Sequence, residues 1–255
     1  MGYLLEIKKL SKSFGGLSAL DGIEAHLEEG QIASLIGPNG AGKTTFFNCI
    51  TGLIPPGGGE IVFKEKNLKG LQANEITGRG IARTFQNIRL FGGMTALENV
   101  MVGGHLRYRY GFLGALVRSP KVRQFEKELI QKSFSLLKFV GLESQHSKWA
   151  RELSYGDQRR LEIVRALATE PTLLLLDEPA AGMNPKETAG LMELMVKIKE
   201  TGVTVLLIEH DMRVVMGISE KIIVLDHGVK IAEGKPREIQ QNRKVIEAYL
   251  GAGSV

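Results

Sequence analysis

The stretch Gly37 to Thr45, GPNGAGKTT, decides how this chain folds. It fills every position of G-x-x-x-x-G-K-[ST]: Gly37, four residues, then Gly42, Lys43 and Thr44. Before it, Gln31 to Ile36 reads QIASLI, a short and mostly apolar run of strand length. After it, Phe46, Phe47, Ile50 and Leu53 recur at helical spacing. Strand, loop and helix in that order build a phosphate cradle. Glycines let the backbone wrap closely, and its N–H groups converge with the helix N-terminus on anionic oxygens. Lys43 is expected to reach the β- and γ-phosphates, and the Thr44 hydroxyl to ligate Mg²⁺. The expected nucleoside triphosphate site therefore takes Gly37, Asn39, Gly40, Ala41, Gly42, Lys43, Thr44 and Thr45.

A metal at that loop needs a carboxylate. Thr172 to Glu178 reads TLLLLDE, four consecutive leucines followed by two acids. A continuous apolar run fits a central parallel strand buried on both faces. Acids at its C-terminal end fall where open α/β sheets place their ligands. Asp177 is expected to hold Mg²⁺, directly or through water, and Glu178 to take the proton of an attacking water. A second apolar strand, VTVLLI after Gly202, runs straight into Glu209-His210-Asp211. His210 is placed to donate to a γ-phosphate oxygen. The other histidines, His26, His105, His146 and His227, lack such placement and read as structural or surface residues. Gln86 follows an Arg-Thr-Phe run, and its neutral amide can reach metal or water, though alone it identifies nothing.

Around these motifs the chain reads in order. LLEIKKL from Leu4 and LSALDGIEAHL from Leu17 suggest two or three antiparallel strands, with Phe14 in the intervening KSFGG loop. Taken alone, such an aromatic packs a hairpin. Pro55-Pro56-Gly57-Gly58-Gly59 breaks the chain before EIVFKEKNL, a further strand and turn. From about Thr95 to Leu142 the period is helical, with a less regular insert near Gly103 to Pro120, as expected of a separate helical lobe. LSYGDQRRL from Leu153 opens another helix, and Asn184-Pro185 starts one through about Lys199. KIIVLDHGVKIAEG reads as a hairpin turning at Asp226-His227-Gly228, after a helix around Met212 to Ile218. A last helix from Pro236 carries Ile239, Val245, Ile246, Tyr249 and Leu250.

Composition bounds the function. The 255 residues are 43% apolar and 24% charged, ordinary for a soluble globular protein, and no apolar run approaches a membrane span. The opening MGYLLEIKKLSKSF lacks a signal-peptide core, so a cytoplasmic location is expected. A single cysteine, Cys49, excludes an intramolecular disulfide; inside a helix it is expected to be buried rather than reactive. The net charge of +5 has one location: between Glu98 and Glu126 there is no acid, while Arg107, Arg109, Arg118, Lys121 and Arg123 fall inside. A uniformly basic nucleic-acid binder would not concentrate its charge this way. The interval is expected to be either a solvated face or a membrane-facing docking surface.

Order and spacing together carry a resemblance. GPNGAGKTT, TFQN, LSYGDQRR, LLLLDEP, AAGMN and IEHD occur in the order of the Walker A, Q-loop, signature, Walker B, D-loop and H-loop motifs, and the chain resembles the ATP-binding subunits of ABC transporters over nearly its whole length. RTFQNIRLFGGMT, LSYGDQRRLEIVRAL, DEPAAGMNPKET and IEHDMRVVMGISEKIIVLDHGVKIAEGKP are similar to the subunits that power branched-chain amino-acid importers. The resemblance implies an α/β cassette: a P-loop core with a mainly parallel sheet, an N-terminal antiparallel β subdomain and a helical subdomain. The core would take residues of about 1–85 and 160–235, the helical subdomain about 86–160, and a C-terminal helix about 236–255.

It implies ATP and Mg²⁺ as ligands, the metal being held by Thr44, Gln86 and Asp177. Phe14 would stack on adenine, and Glu178, His210 and Gln86 would serve hydrolysis. Two cassettes, identical or different, would dimerise head to tail on ATP, with Ser154 and Gly156 of one closing over the γ-phosphate bound by the other. The remaining partners would be transmembrane permease subunits and, indirectly, a solute-binding protein, at the cytoplasmic face of the membrane. Three positions depart from the common pattern: Tyr155 and Asp157 in the signature, and Asn184 in the D-loop where Asp is usual. A non-transport ABC ATPase acting on nucleic acid or the ribosome is the alternative. Such proteins usually carry two cassettes or a long coiled-coil insertion, for which 255 residues leave no room. A nucleotide kinase would leave LSYGDQ beside DEP unexplained.

Overall fold

A computed structural model of the chain describes residues 2–105 and 120–250. Most of the acid-free basic interval, residues 106–119 with Arg107, Arg109 and Arg118, therefore lies outside the described residues. The chain forms two compact units, one of residues 1–83 and 172–255, the other of residues 84–171.

The first unit holds two sheets. Strands β1 (Leu5–Phe14), β2 (Leu17–Leu27), β4 (Gly58–Phe63) and β5 (Lys66–Asn67) pair antiparallel in the order β2-β1-β4-β5. The second sheet runs β10-β9-β3-β8-β7-β6, from β3 (Ile32–Ile36), β6 (Ile81–Arg83), β7 (Leu173–Asp177), β8 (Thr204–Ile208), β9 (Lys221–Asp226) and β10 (Val229–Gly234). Its strands are parallel except β10, which returns from β9 through His227 and Gly228, both at positive φ. That pair suits a two-residue hairpin, whose turn needs left-handed backbone at both central residues.

Strands β3, β7 and β8 are buried at every position, as their unbroken apolar runs require. Alternate residues serve the two faces. Leu35, Ile223 and Leu225 join the large cluster around Phe46 and Phe47 of helix α1 (Lys43–Ile50), together with Leu5, Ile7, Ile61 and Phe63 of the antiparallel sheet. Ile36, Ile222 and Val224 join a cluster on the opposite face with Val215, Ile239 and Val245. Cys49 is buried in α1, and burial pushes its thiol up to about 11, against a smaller opposing effect of Lys12. The expected burial is found.

The second unit is helical. Helix α3 (Ala96–Gly104) starts at Thr95, whose side chain accepts from Glu98 N–H while Glu98 caps Thr95 N–H. It packs with α4 (Pro120–Phe139) and α5 (Tyr155–Leu167). Gly103, which the sequence placed in the irregular insert, instead lies in the last turn of α3. A Cβ there would sit 2.2 Å from the Arg165 carbonyl of α5, so its lack of a side chain sets how closely the two helices approach.

The terminal segment differs from the single helix expected. It forms α8 (Pro236–Gln240) and α9 (Arg243–Leu250), separated at Gln241-Asn242. The Asn242 side chain accepts from the N–H groups of Lys244 and Val245, restarting the helix. Strand β6 and the short α2 (Ala73–Gly78) were not legible from periodicity, being only three and six residues long.

Candidate nucleotide site

The loop Gly37–Thr45 leaves the C-terminal end of β3 and enters α1. Gly37 has φ 151°, and a Cβ there would fall 2.0 Å from the Leu225 carbonyl oxygen. Only glycine fits. Gly42, the residue preceding α1, has a left-handed backbone and caps the helix with no side chain, so the first N–H groups of α1 have no side-chain partner from that position. Asn39 and Gly40 are exposed at the crest of the loop, Ala41 is buried, and Thr44 is exposed at the start of the helix. Lys43 Nζ donates to the carbonyls of Gly37 (2.7 Å) and Pro38 (2.9 Å), which holds the ammonium against the loop. Burial lowers its pKa, while the charges of Glu178 and Asp177 pull the other way. Lys43 and the two acids thus share one electrostatic site.

The acids arrive there by strand register. Asp177 pairs with Ile208 at the ends of β7 and β8, and Leu35 of β3 pairs with the same Ile208. The three strands therefore finish level, and the loops that follow them emerge on one edge. Glu178 N–H donates to the Ile208 carbonyl (2.9 Å), and the residue adopts φ 48°, unusual for a non-glycine residue. His210 Nδ1 comes within 3.7 Å of Glu178 Oε2. Phe14 ends β1 and is 46% exposed, open enough to accept a planar group, with Lys12 Nζ 5.3 Å from its ring centre. Residue Ala19 of the same hairpin lies against Gly42.

Two residues that the sequence reading gave no role complete this edge. Arg83, at the end of β6, donates to Asp177 Oδ2 (2.8 Å) and to Asn48 Oδ1 of α1 (2.7 Å), with both charged side chains buried. Glu209 is 1% exposed, and its carboxylate accepts N–H bonds from Ala180 (2.9 Å), His210 (3.1 Å) and Asp211 (3.3 Å). Burial raises its pKa and those bonds oppose the rise. Glu209 ties the backbone after Glu178 to the backbone of His210. Its place between β8 and His210 was the available signal.

Ser154, Gly156 and Gln86 belong to the helical unit. Ser154 caps α5, its hydroxyl accepting from Asp157 N–H (3.2 Å), and Gly156 is buried in the first turn. Asp157 binds Gln145 (3.1 Å) and faces Arg160 (3.7 Å), so its unusual charge is spent within the unit. Gln86 is exposed, and its carbonyl accepts from the buried Arg159, which also donates to Phe85 O (2.8 Å) and pairs with Glu162 (3.2 Å). Glu162 in turn accepts from Arg89 N–H (3.1 Å). The signature helix thereby grips the backbone on both sides of Gln86. Asn184, in the first unit, caps α6 (Pro185–Glu200) reciprocally with Glu187, at 3.0 Å in each direction. The amide keeps the capping oxygen that an aspartate would supply.

The residues fit Mg²⁺. Asp177 and Thr44 offer hard oxygen donors, and one bond from Arg83 does not exhaust a carboxylate's lone pairs. Among the described residues no group of three His, Cys, Asp or Glu could hold an ion by itself. A metal sharing phosphate oxygens with one or two protein ligands suits that donor set.

A glycine loop between a buried strand and a helix, with an acid ending a parallel strand two places along the same sheet, defines a P-loop nucleoside triphosphatase. The family model described as ABC transporter matches residues 20–181, and one described as branched-chain amino acid ATP-binding cassette transporter matches residues 229–255. This chain belongs to the ABC transporter family, as one of its ATP-hydrolysing cassettes. It is 47% identical to the high-affinity branched-chain amino acid transport ATP-binding protein LivG of Salmonella typhimurium, over 97% of this chain and 98% of that protein. Among solved structures, the ADP conformation of an ATP-binding cassette of an ABC transporter matches with TM-score 0.86 and 33% identity, covering 98% of this chain and 100% of the other. A dimeric post-hydrolysis cassette bound to ADP and phosphate matches with TM-score 0.77 and 30% identity, covering 91% and 99%.

Proposed function

We propose that this chain is the motor subunit of an importer for branched-chain or other hydrophobic amino acids. It would work at the cytoplasmic face of the membrane with permease subunits and a second ATP-binding subunit, and indirectly with a solute-binding protein. The observation that carries the reading is a likeness to a branched-chain amino acid transport ATPase along the length of both chains, terminal segment included. No described helix is long and apolar enough to cross a membrane, which fits peripheral attachment through permeases.

In this reading the loop N–H groups and Lys43 bind the phosphates of ATP, and Phe14 stacks on its base. Thr44, Asp177 and Gln86 would hold Mg²⁺, which would supply positive charge to offset the charge that develops on the phosphates. Glu178 accepts the proton of the attacking water at a carboxylate oxygen, and His210, within reach of that carboxylate, donates to the γ-phosphate. Ser154 and Gly156 of the partner cassette bring a hydroxyl and a helix N-terminus to the same phosphate. Closure of the dimer on ATP and its release after hydrolysis then drive the permeases.

Purification of this chain from its native membranes, followed by reconstitution in vesicles, tests the assignment. The expected companions are multi-helix permeases, and the expected activity is ATP-dependent accumulation of leucine. Recovery with ribosomes or nucleic acid, without permeases, would overturn it.

A further inference from the structure

Tyr155 is one of the two signature positions that depart from the common pattern, and it stands between Ser154 and Gly156. It is the first residue of α5. Arg159 follows four residues later on the same face, and long side chains on a helix lean back toward its N-terminus. The guanidinium of Arg159 accordingly returns over Tyr155. Its Nη2 donates to the phenol oxygen at 3.2 Å, and its Cζ lies 5.6 Å from the ring centre.

The same guanidinium is committed to the backbone around Gln86. Nη1 donates to the Phe85 carbonyl at 2.8 Å, and Nη2 donates to the Gln86 carbonyl. Two consecutive carbonyls taken by one planar fork fix the peptide between them. Arg159 is 2% exposed, and the equally buried Glu162 balances its charge at 3.2 Å. A buried guanidinium is held strongly to such acceptors, because an unmade bond leaves its donor desolvated. One nitrogen, Nη2, thus serves both the Tyr155 phenol and the Gln86 carbonyl. A glycine at position 155 offers no such oxygen.

We propose that Tyr155 is a positioning residue that joins two events: through Arg159 it ties the turn carrying Ser154 and Gly156 to the backbone of Gln86. In the mechanism above, that turn closes on the partner cassette's nucleotide, while Gln86 serves this chain's own metal. Movement of either then reaches the other through a single guanidinium. The inference rests on that two-cassette reading.

Tyr155→Phe keeps the ring and removes the oxygen. Hydrogen exchange of the full-length chain without nucleotide reads the link directly. Peptides spanning Thr84 to Arg89 should exchange faster in Tyr155→Phe than in wild type, and those of β3 and β7 at the same rate. With co-purified membrane partners present, kcat for ATP hydrolysis should fall about threefold, the size of one hydrogen bond, with KM for ATP unchanged. In a Gln86→Ala background the same change should cost nothing further, because the group that Tyr155 positions is gone. ATP-driven dimerisation of the Glu178→Gln protein, followed by sedimentation, should survive the addition of Tyr155→Phe. Unchanged exchange and turnover in Tyr155→Phe, or a loss that adds in full to that of Gln86→Ala, would overturn the proposal. A weakened dimer would place Tyr155 in the contact with the partner's nucleotide and overturn it too. If Gln86→Ala hydrolyses ATP like wild type, or ATP fails to dimerise the Glu178→Gln protein, the two-cassette reading itself fails, and the proposal with it.

Discussion

Nδ1 of His210 lies 3.7 Å from Oε2 of Glu178, across the ends of two adjacent parallel strands. The pairing of Asp177 with Ile208 sets the strand ends level, and Glu209 then fixes the backbone beyond each. The imidazole is two-thirds exposed while the carboxylate is mostly covered, so the histidine is the member free to turn toward a ligand.

If the two act as a unit on the attacking water, Glu178→Gln should bind ATP nearly normally and hydrolyse it at least about a hundredfold more slowly. His210→Ala should also lose turnover, and the double variant should fall little below Glu178→Gln. Phosphate release with the membrane partners present measures all three. Near-normal turnover in the glutamine variant would remove Glu178 from the role of base.

Dimerisation should depend on nucleotide. Ser154 caps α5 and presents its exposed hydroxyl at the helix N-terminus, a position that suits an anionic partner. The Glu178→Gln protein should sediment as a monomer alone and as a dimer with ATP, and adding Ser154→Arg should abolish the shift. A dimer indifferent to nucleotide would contradict the sandwich arrangement.

Arg83 and Asp177 form a buried pair, and removing one partner leaves the other charge uncompensated. Arg83→Ala should cost about 3–5 kcal/mol of folding stability, read from the urea midpoint. The Arg83→Met, Asp177→Leu double variant should recover much of that loss, because no lone charge then remains. Recovery would separate the ion pair's structural cost from its place at the metal.

Glu233 on β10 gives a pH test. Burial alone would raise its pKa, but Lys221 and Lys230 outweigh that and hold it below the ordinary 4.5. Its folded pKa is therefore depressed, and the stability it contributes is present above pH 4.5 and lost as pH falls through the folded value. Glu233→Gln should be less stable than wild type at neutral pH, and the gap should close on acidification below 4.5. A gap of constant size from neutral to acid pH would show that the charge is not its source.

The parts legible in the sequence were those whose physics is local. The phosphate loop is one contiguous segment whose glycines, lysine and threonine act through their own backbone and side chains. The buried strands announced themselves as unbroken apolar runs, and helices α6 and α7 (Met212–Ile218) by their capping residues and spacing. Asn184 reads as a cap from its neighbours alone, with Pro185 after it and Glu187 three residues on.

What the tertiary structure decided are the contacts between distant segments. No local pattern sets the strand order β10-β9-β3-β8-β7-β6, yet that order puts Glu178 beside His210. Arg83 and Asp177 are 94 residues apart, and Arg159 reaches 73 residues back to Gln86. Val245 meets Ile36 only because α9 folds back onto the face of the sheet where Ile36 is buried. Such partners lie beyond any helix or strand period, and they are selected when a buried charge finds a group that satisfies it or an apolar face finds cover. The sequence by itself determined which residues can bind phosphate; packing determined which residues hold them in place.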